Sequence, residues 1–84
     1  MRLDDLPLRR NAVVSAIDWE DIGPAEAKRL REFGFDEGVI VQKLHNGPIG
    51  RDPVACRVGR MTVALRRRVA LAIRVAEHAT DHKA

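Results

Sequence analysis

The sequence predicts a mainly β protein: a small barrel of about five short strands, with one short α-helix after the first strand. Three observations predict it. Short apolar stretches rich in Val, Ile and Leu recur along the chain, each closed by glycine, proline or charge. One segment alone carries a complete helix signature. The chain has 84 residues, which makes one small domain. About five short strands are too few for a doubly wound sheet, whereas a small closed barrel leaves no exposed edges.

"LDDLPLRR", with Leu3 and Leu6, is a lead-in segment. "AVVSAI", residues 12–17, is short, apolar and β-branched, and predicts the first strand. The helix follows over about ten residues of "GPAEAKRLREFGF". Gly23 can cap it, and Pro24 stands at the first helical position, where its missing N–H costs nothing. Glu26 suits the positive end of the helix dipole. Ala27, Leu30 and Phe33 recur at three-residue spacing as a buried face. Gly34 ends the helix in a left-handed conformation, and Phe35 is expected to pack back on Leu30.

"DEG", 36–38, is a turn, and "VIVQKL", 39–44, is the second strand. "HNGPIGRDP", 45–53, is dense in glycine and proline and is expected to be a long loop.

"MTVALRRRVALAIRV", 61–75, is ambiguous, because Met61, Leu65, Val69, Ala72, Ile73 and Ala76 also fit one helical face. A hairpin fits better, since it accounts for residues 54–60 too. With Gly59-Arg60 as a two-residue type II′ turn, Val58 faces Met61, Cys56 faces Val63, and Val54 faces Leu65. Every inward pair is then apolar, and a slip of one residue destroys this. Arg66, Arg67 and Arg68 become a corner. "LAIRV", 71–75, is the last strand, with room for one short helical turn before it. The barrel domain is expected over 1–76, with 77–84 a polar tail.

A domain of this size buries only about 60% of its unfolded surface, so a deep catalytic cleft beside a separate core is excluded. Trp19, Phe33 and Phe35 are the only aromatic residues, so Val, Leu, Ile and Ala must fill the core. The net charge is +3, and twelve of the fifteen basic residues are Arg. Cys56 is the only cysteine, so no internal disulfide forms, which fits a reducing cytoplasm. No apolar run approaches the roughly 18 residues of a transmembrane helix. Asp4 and Asp5 interrupt any signal-peptide pattern at the N-terminus.

"AKRLREFGFDEG", "GPIGRDPVACRV" and "VALRRRVALAIRV" occur in an order and spacing that resembles the FeoA family. The first is similar to that family's helix and turn glycine, the second to its Pro-x-Gly-Asp-Pro loop and following strand, the third to its final Leu-Arg-Arg segment. The resemblance runs from about Leu3 to Val75. Arg51 is an extra residue before Asp52-Pro53, Gly59 lies one position early, and Arg10-Asn11 replace an early glycine. The resemblance implies an SH3-like barrel. It also implies a non-enzymatic cytoplasmic accessory of bacterial ferrous iron uptake, which binds and modulates the membrane transporter FeoB. The expectation is no cofactor, no nucleic acid and no insertion into the membrane, with the oligomeric state, monomer or weak dimer, left open.

Most of the chemically notable residues have a simpler structural role. Cys56 alternates with Val54 and Val58, so it is expected to be a buried apolar residue rather than a thiolate ligand. His78 and His82, four apart, have helical spacing for a metal but no third ligand. His45 stands alone. Asp52 before Pro53 is expected to cap its own turn. Gly47 and Gly50 precede no helix, so they are not a phosphate loop. No Ser-His-Asp set or carboxylate pair is visible. The candidate partner-binding residues are Pro48, Ile49 and Arg51 at the loop, and Arg67 and Arg68 at the corner. Ile49 would be an exposed apolar tip, and the arginines would meet an acidic surface. Two competing readings are a small-barrel nucleic-acid binder, which lacks exposed stacking aromatics, and a metal-responsive regulatory domain, which lacks a ligand set. Two expectations follow for variants. Gly59→Val should damage folding more than Gly47→Val, and replacing Arg67 and Arg68 by Ser should leave the fold nearly intact.

Overall fold

The computed structural model describes residues 1–77. A 3-10 turn at Leu3–Asp5 leads into β1 (Asn11–Ile17), and a second at Trp19–Asp21 leads into α1 (Pro24–Phe33). Then come β2 (Ile40–Ile49), β3 (Asp52–Val58), β4 (Met61–Leu65), the single turn α2 (Arg67–Ala70) and β5 (Ile73–Glu77). The five strands form one antiparallel sheet in the order β4-β3-β2-β1-β5, bent into a small barrel.

The β3–β4 hairpin has the expected register: Val58 opposite Met61, Cys56 opposite Val63, Val54 opposite Leu65. Gly59 has φ +59°, and Arg60 is not among the residues with positive φ, as a type II′ turn requires. The alternation decides the outcome, because it buries Val54, Cys56, Val58, Val63 and Leu65 together. A valine at Gly59 would be held in a backbone region costing roughly 1–3 kcal/mol. Gly59→Val is therefore expected to lower the urea midpoint measurably while leaving the circular dichroism of the native state unchanged.

α1 ends as its sequence predicts. Gly34 adopts φ +93°, its N–H donates to the Arg31 carbonyl at 3.0 Å, and the Phe35 N–H donates to the Leu30 carbonyl at 3.0 Å. This paired pattern is a Schellman end. It turns Phe35 into the core, 2% exposed, while Phe33 is only half-buried against it.

Three expectations are corrected. Residues 45–53 are not a long loop: β2 runs to Ile49, β3 starts at Asp52, and Gly50-Arg51 alone make the turn, both with φ +61°. Two positive φ values define a type I′ turn, whose twist matches that of the strands. Gly47 and Pro48 are absorbed by the register shift between Asn46 and Ile49, and a further shift lies between Lys43 and His45. The barrel is not fully closed, because β4 and β5 are the ends of the sheet rather than partners. The chain start covers part of β5 instead: the Val75 N–H donates to the Met1 carbonyl at 2.7 Å, and Arg2 bridges Arg74. Finally, β5 begins at Ile73, because α2 and its end take up residues 67–72. His78, His82 and the rest of the tail lie outside the described residues.

Candidate functional site

The lead-in segment carries the most consequential charge. Leu3 and Leu6 flank its 3-10 turn and are both essentially fully buried, and Asp4 between them is 0% exposed. A buried carboxylate must be paired. Arg67 Nε lies 3.1 Å from Asp4 Oδ2, and Arg51 Nη2 lies 3.0 Å from the same oxygen. Asp4 Oδ1 has no hydrogen-bond partner among the described residues. The buried Lys43 donates from Nζ to the Asp4 carbonyl at 2.6 Å. Burial pushes the Lys43 ammonium below its usual pKa, and the Asp4 charge opposes that shift.

Asp52 does not cap its own turn. Its Oδ1 accepts from the Arg67 backbone N–H at 3.0 Å, so it caps α2, whose own N-cap residue, Arg66, offers no acceptor side chain. Its Oδ2 faces Arg66 Nη1 at 3.9 Å. The Arg66–Arg68 run is therefore not a uniform solvated corner. Arg67 is drawn inward onto Asp4, its side chain 39% exposed. Arg68 remains exposed and pairs with Glu26 of α1 at 2.8 Å.

The structure thus joins Arg51 to Arg67 through one carboxylate and leaves Pro48 and Ile49 at the exposed hairpin tip. Ile49 is 81% exposed, well above any other large apolar residue described. Arg68 stands apart, toward α1. The sequence reading missed Asp4 and Lys43. The only signal for Asp4 was its place between two leucines that the core takes in. Beside this cluster, a surface cleft of about 430 Å³ runs between α1 and β4, lined by Leu30, Ala64, Leu65, Val69 and Arg66 among others.

Cys56 faces Val63 in the core and is 0% exposed. Burial pushes its thiol up to about 12. The folded protein is expected to resist thiol reagents at neutral pH and to react only in denaturant, and rapid labelling of the native state would refute the buried position. His45 is exposed. Among the described residues, no three His, Cys, Asp or Glu side chains group to hold a metal ion, and no helix is long and apolar enough to cross a membrane.

Comparison with known proteins bears on this arrangement. A family model described as the FeoA domain matches residues 1–77. No curated protein matches. Among solved structures, the chain is similar to FeoA of Stenotrophomonas maltophilia in complex with zinc, described as an SH3 domain protein. The two are 38% identical over 90% of this chain and 89% of that one, with a TM-score of 0.74. FeoA of Chlorobium tepidum is 28% identical over 92% of this chain and 70% of that one, with a TM-score of 0.79. Iron(II) transport protein A of Clostridium thermocellum has a TM-score of 0.80 at 24% identity, and the match covers 94% of this chain but only 46% of that one. A manganese-dependent transcriptional repressor shares the fold at 18% identity and a TM-score of 0.78, over 93% of this chain and 41% of that chain. With the family model spanning every described residue and a FeoA of near-equal length sharing its SH3-like barrel, the chain belongs to the FeoA family, the accessory proteins of ferrous iron transport.

Proposed function

We propose that this protein binds the cytosolic part of a FeoB-type ferrous iron transporter and modulates it, acting in the cytoplasm without catalysis of its own. The observation that carries the reading is Ile49, 81% exposed at the tip of a two-residue turn with Arg51 beside it. An exposed branched apolar side chain suits a partner offering a small apolar socket. Half of the chain's arginines are engaged within it and give little support to nucleic-acid binding. Arg2, Arg10, Arg66, Arg68 and Arg74 each face a carboxylate of this chain, and Arg31 lies 4.3 Å over the ring of the half-buried Trp19.

The test is capture of the transporter from membranes by the immobilised protein and by its Ile49→Asp variant. The wild type should retain the transporter. The variant should fold normally and bind at least tenfold more weakly, which corresponds to about 1.4 kcal/mol. A wild type that retains no transporter would overturn the reading.

A further inference from the structure

We propose that Arg51 is the positioning residue of the docking tip: its ion pair with the buried Asp4 holds the β2–β3 turn in the one orientation that presents Ile49. The proposal rests on the docking reading above, and three observations point to it.

The first is the backbone. Arg51 sits at φ +61° in the second central position of a type I′ turn. Asn, Asp and Gly accept that conformation readily, whereas a long side chain takes it up at a cost. Strain of this kind persists only where the surroundings hold the residue in place.

The second is the partner. Arg51 Nη2 meets Asp4 Oδ2 at 3.0 Å, and Asp4 is fully buried between Leu3 and Leu6, held also by Arg67. It is a fixed anchor. The Arg10–Glu77 pair, by contrast, is half exposed on both sides and fixes little. A buried acceptor makes the Arg51 contact stronger and more directional than a surface pair.

The third is the weakness of the local ladder. The β2–β3 register shifts between Asn46 and Ile49, so only the Ile49–Asp52 pair closes the strand ends at the tip. The tether from Arg51 to Asp4 therefore supplies a hold on the tip that the strands do not. The position of Ile49 depends on a residue that need not touch the partner.

The test uses Arg51→Asn, which tolerates the turn conformation but has no guanidinium, and Arg51→Lys, which keeps a cation able to reach Asp4. Amide exchange is read on the free proteins, and affinity is read against the purified cytosolic domain of the transporter. In Arg51→Asn, the Ile49 and Asp52 amides should exchange at least tenfold faster, while those of Cys56 and Val63 keep their wild-type rates relative to global unfolding. Affinity should fall at least tenfold, and Arg51→Lys should recover part of both. Unchanged exchange at the tip would overturn the tether. Faster exchange with unchanged affinity would overturn its role in presenting Ile49. A wild type that does not bind the domain would instead refute the docking reading, and the exchange result would still decide the tether.

Discussion

Gly47→Val is expected to destabilise the protein more than Gly59→Val, by about 3 kcal/mol or more, the upper end of the range for overpacking. A Cβ at Gly47 would lie inside the carbonyl of Asp52 and 2.6 Å from Pro53 N. Those are backbone atoms of the facing strand, and they cannot swing aside as a side chain would. At Gly59 a Cβ meets nothing, so the cost there is backbone conformation alone. This reverses the order read from the sequence, where Gly47 stood in a tolerant loop. Urea midpoints of the two variants decide it. A smaller loss at Gly47 would mean that β2 does not run alongside β3 at this point.

Arg67→Ser is expected to cost about 3 kcal/mol, the lower end of the range for breaking a buried ion pair. Arg51 keeps a hold on Asp4 Oδ2, which places the loss at that lower end. For a domain of this size the melting temperature should fall by roughly 12–24 °C. Arg68→Ser should change stability by no more than about 0.5 kcal/mol, because its pair with Glu26 is exposed. Adding Asp4→Asn to Arg67→Ser should restore part of the loss by removing the stranded charge. Equal melting of the Arg67 and Arg68 variants would return both to a solvated corner and remove Asp4 as the anchor.

The parts of this fold that were legible in the sequence are those written in local patterns. The Gly23-Pro24 start and Gly34-Phe35 end of α1 depend on backbone chemistry within one turn. The β3–β4 register follows from an alternation that only one pairing satisfies. The fate of residues 45–53 was not legible, because glycine and proline signal bulges as strongly as loops, and only pairing across the sheet separates the two. Asp4 was hidden for a different reason. Its partners Arg51 and Arg67 are 47 and 63 residues away, and no periodicity marks a carboxylate that enters the core with Leu3 and Leu6. The same holds for Asp52, whose acceptor role toward α2 appears only when β3 and the corner are brought together. Of the candidate site, Pro48 and Ile49 are exposed as expected, although on a short turn rather than a long loop. Arg51 and Arg67 turned out to share one buried carboxylate.

The central claim is that the transporter is met by the hairpin tip and the adjoining corner. Amide exchange of the protein, free and saturated with the purified cytosolic domain of the transporter, tests it most directly. Slowed exchange at residues 49–52, 67 and 68, with Leu30, Ala64 and Val69 of the cleft between α1 and β4 unchanged, is the result this account predicts. Protection confined to that cleft, around Leu30, Ala64 and Val69, would contradict it.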